Sequence, residues 1–453
     1  MLFNSSLFLF AFLPLAFLVA RPLKGRWLLG WLSLASFVFY AFAGHVWFLA
    51  PMACTITFDY FIARKIEASS DPRLRKLLLI LSLTTTLSLL AYLKYAGFFF
   101  AAGDALARAA LGDGFPESWR KAFSVLLPAG ISFYSFQAIA YVVDVYAGRC
   151  KAEKAFLRFS TFIAFFPHLV AGPLTRHDQL IPQLADIAEK GVRPRWEAGL
   201  YLFVLGLSKK MLIADRVGNL VDLLLLQPSA LDAYAAWLAM AGFTVQLYFD
   251  FSGYSDMAIG LGRLFGVEFP QNFDRPYTAL NPSDFWRRWH ITLSRFLRDY
   301  LYIPLGGNRA GPMRQRFNLM LTMLLGGLWH GAGWTFVVWG AYHGVLLVVY
   351  QLVARPWDRL PRLVQRAGMF LLVMLGWVMF RSSSLAVAGE WYLALCGLGA
   401  GVDPVGLAVR PEPLRWSDWT AGQLDKVSTS LASLEGNSAV LHDRADIGTL
   451  SLA

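Results

Sequence analysis

His330 stands in the stretch Leu328-Trp329-His330-Gly331-Ala332-Gly333-Trp334, with His343 thirteen positions further on. An imidazole, whose unperturbed pKa is about 6.5, takes up and releases a proton near neutrality. The neighbouring glycines carry no Cβ and let another molecule approach the ring closely. That is the chemistry of a general base. From the spacing alone, a neutral histidine hydrogen-bonded to a carbonyl inside a helical bundle reads equally well.

An ionisable side chain in a bilayer costs a few kcal/mol and turns toward a bundle interior or a cavity. Three further stretches meet that criterion. Phe285-Trp286-Arg287-Arg288-Trp289-His290 continues through Arg295, Arg298 and Asp299 to Gly306-Gly307-Asn308-Arg309. Tryptophan favours the headgroup level and arginine reaches outward from a buried stem, so this stretch reads as an interfacial helix with a basic face. The other reading has Arg287 or Arg288 holding an anionic group, such as a nucleotide phosphate, through its guanidinium fork. His290 falls between the two. Gln246–Asp256 places two carboxylates in an apolar run with no basic residue nearby in sequence. Asp250 and Tyr254 are four apart and share a helix face, as do Ser252 and Asp256. Asp250 and Asp256 are six apart and point in different directions, which favours hydrogen bonding within a bundle over a carboxylate dyad. Finally, Phe165-Phe166-Pro167-His168, with Gly172-Pro173 beyond, interrupts a helix and frees carbonyls. It reads as a kink, or as a cavity wall to which His168 contributes.

The elements that must position these groups are membrane helices. The 453 residues are 57% hydrophobic and 16% charged, against roughly a quarter charged in soluble domains. Spanning backbone must satisfy its own hydrogen bonds, which leaves helices or closed barrels, and these runs lack the alternation of barrel strands. The predicted helices are Leu2–Ala20, Trp27–Ala43, Val46–Ala63, Leu77–Ala102, Ser124–Tyr146, Phe156–Ala171, Ala198–Leu226 and Tyr234–Leu264. Phe317–Trp329, Phe336–Leu352, Gly368–Phe380 and Leu385–Leu398 follow. The result is an all-α, polytopic bundle of roughly ten to twelve hydrophobic segments. Phe317–Trp329 is short and ends in glycines, which reads as re-entrant or buried.

Arg21, Lys24 and Arg26 follow the first run, and Arg64, Lys65, Arg73, Arg75 and Lys76 follow the third; Gly44-His45, between the second and third, brings no Lys or Arg. Basic loops stay in the cytoplasm, so the amino terminus is placed on the periplasmic side of a bacterial inner membrane. The net charge of +11 then sets topology, in contact with lipid, and does not imply nucleic acid. With no basic residue before its apolar stretch, Leu2–Ala20 reads as a retained helix and not as a cleaved signal. Cys54, Cys150 and Cys396 are scattered and odd in number, without metal spacing or a disulfide framework. No metal site, phosphate loop or nucleophile elbow stands out. Residues 1–398 form the membrane domain; 399–453, with Pro404, Pro411 and Pro413, read as a polar, soluble or disordered tail.

At Leu328-Trp329-His330-Gly331, taken with the other stretches, the chain resembles the membrane-bound O-acyltransferase family, in its alginate O-acetylase-like branch. The matching residues are Phe166-Pro167-His168-Leu169 with Ala171-Gly172-Pro173, Gln246–Gly262, Phe285–Ser294, Leu297–Arg309 and Leu321–Gly331. The resemblance extends through Gly376-Trp377 to Phe380-Arg381. It implies a multi-helix bundle around a central tunnel, with His330 catalytic and His290 accompanying it. Trp329, Trp286, Arg287, Arg288, Asp250, Tyr254 and His168 are the candidate substrate- or donor-binding residues beside them. It also implies acetyl transfer from a cytoplasmic donor, acetyl-CoA, toward hydroxyls of an exopolysaccharide outside, with periplasmic acetyltransferase partners and no bound cofactor. Within the same superfamily, D-alanyl transfer to teichoic acid from an acyl-carrier protein is the alternative. From a different class, a proton-coupled transporter would use the same buried groups as a relay, though the chain shows no internal repeat. Relatives usually continue with further membrane helices after Arg381, where this chain turns polar near Gly399.

Overall fold

A computed structural model describes residues 1–399 except 43, 117, 120–122, 124–126 and 310. The tail expected from residue 399 onward therefore lies, past Gly399, outside the described residues. Among the described residues there is no β-strand. The amino-terminal half comprises α1 (Phe8–Ala20), α2 (Gly25–Phe42), α3 (Val46–Ala68), α4 (Pro72–Leu111), α5 (Ile131–Tyr146), α6 (Phe156–Ala164) and α7 (His177–Lys190). Then come α8 (Trp196–Ser208), α9 (Asp215–Leu224), α10 (Ala233–Leu264), α11 (Pro282–Arg288), α12 (Ile291–Leu297) and α13 (Pro312–His330). Last are α14 (Trp334–Asp358), α15 (Arg362–Arg381) and α16 (Leu385–Leu395).

Local sequence accounts for the helix ends. Asp71 caps α4 by accepting from Arg73 N (2.9 Å), Pro72 occupies its first turn, and Gly112 closes it in the left-handed conformation at φ 82°. Asp232 does the same for α10, and Asn281, ahead of Pro282, for α11. Pro167 has no N–H to bond back along the helix, so the run from Phe156 breaks after Ala164 and resumes as a single turn, Phe166–Leu169. The run expected as Phe317–Trp329 is instead a 19-residue helix that starts at Pro312. It takes in Arg314 and Arg316, which end the apolar run in the sequence but not the helix.

Helices α3, α4, α14 and α15 are long and apolar enough to cross a membrane. Their outward residues include Phe61, Leu77, Phe99, Val345 and Leu371, all exposed, while Asp59, Ser82, Thr86 and Lys94 are buried. Asp59 accepts from Ser82 Oγ (2.6 Å) and Thr86 Oγ1 (3.2 Å), tying α3 to α4. Apolar surface outside and hydrogen-bonded polar groups inside is what a hydrocarbon solvent demands. The chain is thus an all-α, multi-pass membrane protein.

Close helix approach sets the carboxy-terminal half. A Cβ on Gly327 of α13 would lie 2.3 Å from Phe336 O and 2.9 Å from Gly340 Cα of α14; one on Gly340 would lie 2.4 Å from Met323 O. Only glycine allows the two backbones to cross at this distance, the packing mode that bilayers favour. Gly327→Leu is expected to cost about 3 kcal/mol or more and to remove the monodisperse peak in detergent size-exclusion chromatography. Gly389→Leu in α16, where a Cβ meets nothing within 4 Å, is expected to behave as wild type. Equal behaviour of the two variants would contradict the crossing.

Candidate active site

His330 is the last residue of α13. Gly331 and Gly333 are both extended (φ −160° and −162°), so the chain leaves the helix at His330 and re-enters one at Trp334. The α13–α14 hairpin therefore carries this imidazole at its apex, at the negative end of a helix. Three rings meet His330 edge-on: Trp329 at 4.8 Å, Trp339 at 5.0 Å and Phe380 at 5.4 Å between centroids. The residue as a whole is half-buried, and its side chain makes no hydrogen bond among the described residues.

Its counterpart, His290, differs in every respect. It is 1% exposed and sits between α11 and α12 at φ 43°, ψ 54°, a left-handed conformation unusual for a residue with a Cβ. Such a backbone costs about 1–2 kcal/mol and persists only where its surroundings hold it. Asn272 does the holding. Its Oδ1 lies 3.1 Å from His290 Nδ1 and accepts from Thr292 N (3.3 Å) and Thr292 Oγ1 (2.9 Å). Its Nδ2 donates to Ser255 Oγ (3.2 Å), and its backbone carbonyl accepts from Ile291 N (2.9 Å). An atom that accepts a backbone N–H is the amide oxygen, so His290 Nδ1 carries the proton and Nε2 keeps its lone pair. That Nε2 is buried without a protein partner among the described residues.

Trp329 joins the two histidines, 4.8 Å from His330 and 6.0 Å from His290. Trp286 reaches His330 only through Trp339, at 5.9 Å from it. His343, 1% exposed, is boxed by Phe285, Trp286, Trp339 and Trp377. His168, 2% exposed, packs on Phe165 and Phe269 in the amino-terminal core. Among these four bundle histidines, His330 alone is not fully buried.

The remaining candidates have partners of their own. Arg288 pairs with Asp284 (2.9 Å) and Asp274 (3.5 Å), whereas Arg287 is exposed, 3.9 Å from Asp284. Asp250 pairs with Lys210 (2.7 Å) and Asp256 with Lys209 (2.6 Å). Those lysines open a π-helical turn, Lys209–Ala214, between α8 and α9. Tyr254 stacks on Phe3 at 4.6 Å, in the amino-terminal core.

Two residues absent from the sequence reasoning belong to the site. Lys94 of α4 donates to Ser132 Oγ (3.1 Å) and to the carbonyl of Trp329; Tyr95 donates to the carbonyl of Leu328 (2.8 Å). Together they bind the carbonyls at the end of α13, groups that a helix terminus leaves without partners. A lone lysine in the apolar run Leu77–Ala102 was a signal of the same kind as the histidines.

A basic end of the molecule adjoins this centre. Asp144 of α5 is fully buried and receives Tyr300 Oη (2.6 Å) and Arg149 (2.9 Å), with Arg176 at 3.6 Å and His177 Nδ1 at 3.4 Å. Burial lowers the pKa of His177, partly offset by the Asp144 carboxylate. A pocket beside this cluster is lined by Gln137, Thr175, Arg176, Arg295 and Tyr300, with Phe136 in its wall. Phe136 stacks on Trp329 at 5.7 Å, so one ring separates the pocket from the two-histidine centre. Among the described residues no cluster of His, Cys, Asp or Glu could hold a metal ion.

The sequence model of the membrane-bound O-acyltransferase family matches residues 153–387. The chain is 39% identical to the peptidoglycan O-acetyltransferase of Helicobacter pylori, across 88% of this chain and 80% of that protein. It is 43% identical to a probable alginate O-acetylase of Pseudomonas putida, across 88% and 81%. A more distant relative, the teichoic acid D-alanyltransferase of Bacillus subtilis, is 27% identical across 51% and 60%.

Proposed function

This chain belongs to the membrane-bound O-acyltransferase family, and we propose that it moves an acetyl group from cytoplasmic acetyl-CoA toward hydroxyls of an exopolysaccharide across the bacterial inner membrane. It is an acyltransferase; the donor, the direction and the partners are the proposal. The observation that carries the reading is His330. The residue is less buried than the other bundle histidines, and its side chain, at a hairpin apex, makes no hydrogen bond among the described residues.

In the reaction, the acceptor oxygen attacks the thioester carbonyl carbon as His330 takes the hydroxyl proton. The tetrahedral adduct collapses, the C–S bond breaks, and the imidazolium returns the proton to the departing sulfur. His290 Nε2, with its lone pair free, can accept a hydrogen bond from a neighbouring hydroxyl of the acceptor and so orient it; in this tautomer it cannot donate to an oxyanion. Trp329 Nε1, a donor buried without a protein acceptor among the described residues, is suited to that second task.

Sidedness follows the arginines. Arg75 donates to Tyr146 O at the end of α5, and Asp144 there binds Arg176 and Tyr300. Arg314 and Arg316 begin α13, and Arg355, Arg359 and Arg362 flank the α14–α15 turn. Under the positive-inside rule this end faces the cytoplasm and the amino terminus faces the periplasm. The pocket bearing Arg176 and Arg295 then meets the donor's phosphates, for which guanidinium is well matched. Periplasmic acetyltransferase proteins would receive or guide the product.

The test is chemical analysis of surface glycans. A strain lacking this chain is expected to lose ester-linked acetate and to keep its D-alanine esters. Loss of D-alanine with acetate intact would overturn the acetyl reading in favour of carrier-protein-dependent D-alanyl transfer.

A further inference from the structure

Between Leu77 and Ala102 the only charged residue is Lys94, and its side chain is buried. A lysine inside a bilayer ordinarily finds a carboxylate. Among the described residues none pairs with Lys94. The ammonium is held instead by Ser132 Oγ, by the Trp329 carbonyl at the negative end of α13, and by the faces of Trp329 (5.6 Å) and Tyr95 (5.8 Å). A helix terminus of this polarity and aromatic faces both attract a cationic side chain. The group so anchored is bonded to the residue that precedes His330, and it lies within electrostatic reach of that imidazole. A cationic side chain with no carboxylate partner among the described residues is thus placed beside the reacting centre.

We propose that Lys94 selects the acyl group, its fixed ammonium rejecting donors whose acyl portion is itself positively charged and admitting neutral ones such as acetyl. This rests on the acyl-transfer reading above. An aminoacyl thioester differs from acetyl chiefly by an α-ammonium. Size alone discriminates weakly, since one added methylene or methyl changes preference only modestly. Like charges in a site poor in water repel far more than they do in solution. Proteins similar to this chain carry the names of both kinds of transfer, acetyl and D-alanyl, so a residue that separates them has a selective task. Lys94 also caps α13, and that role by itself would affect every donor alike.

The experiment measures a ratio. The purified full-length chain in lipid nanodiscs is given S-acetyl or S-D-alanyl pantetheine with alginate oligomers as acceptor, and kcat/KM is obtained for each donor. Lys94→Met, and Lys94→Gln, which keeps hydrogen bonding without charge, are expected to raise the D-alanyl to acetyl ratio by roughly tenfold or more. Lys94→Arg is expected to keep the wild-type ratio. A second measurement needs no variant: the wild-type chain is expected to use the bulkier but neutral N-acetyl-D-alanyl thioester at least about tenfold better than the D-alanyl thioester. Equal use of those two donors, or a ratio unchanged in both uncharged variants, overturns the selection by charge while leaving acyl transfer standing. Absence of acetyl transfer by the wild-type chain overturns the underlying reading, and this one with it.

Discussion

Replacing His330 with glutamine is expected to lower the turnover of acetyl transfer by about 10²–10⁴-fold, the contribution of a positioned general base. Glutamine keeps polarity and approximate reach but cannot take up the hydroxyl proton. The protein should otherwise be little changed. His330 is half-buried and makes no hydrogen bond among the described residues, so no partner is orphaned by its loss. Its contacts with Trp329, Trp339 and Phe380 are edge-on packing that a smaller side chain weakens without leaving a buried charge. Stability is expected to change by less than about 1 kcal/mol, read as thermal unfolding of the purified protein in detergent. Initial rates with radiolabelled acetyl-CoA give the other half of the result. Wild-type turnover by this variant would remove His330 from the mechanism.

The opposite pattern is expected for Asn272→Leu, which should impair folding and catalysis together. Leucine removes the acceptor for His290 Nδ1, Thr292 N and Thr292 Oγ1, and the donor to Ser255. Each buried polar group left unpaired costs about 1–3 kcal/mol, and the members of one network do not add simply. A total loss of about 3–5 kcal/mol is expected, seen as a lowered unfolding temperature. The left-handed backbone at His290 loses its main tether at the same time, so its Nε2 no longer meets the site in a fixed direction. Asn272→Asp, which keeps the acceptor, is expected to fall between wild type and Asn272→Leu. Full stability of the leucine variant would mean that something other than this amide holds His290.

The helical bundle was legible because apolar run length is a direct physical requirement of a bilayer. Boundaries were less so. The α13 helix begins at Pro312 since a helix tolerates Arg314 and Arg316 in its first turns, whereas a hydropathy reading stops at them. The histidine stretches stood out as costly groups in an apolar chain. What the sequence did not disclose were the partners, because each is distant along the chain or depends on local geometry. Asn272 meets His290 across 18 positions through a backbone conformation that no propensity predicts. Asp250 and Asp256 have no basic residue near them in sequence, yet Lys210 and Lys209 reach them from a π-helical turn on a neighbouring helix, across 40 and 47 positions. Lys94 was visible as a lone charge, but its bond to the Trp329 carbonyl spans 235 positions. Fold class follows from composition and period, whereas a site assembled by long-range contact has to be seen.

In the proposed reaction, acyl transfer by this protein depends on the His330 imidazole. The measurement that addresses this most directly is hydroxylamine-labile acetate on surface glycan, in strains whose sole copy of this chain is wild type or His330→Ala at equal membrane abundance. Acetate is expected to fall to the level of the deletion strain in the alanine variant. Acetate at the wild-type level in that variant would contradict the account.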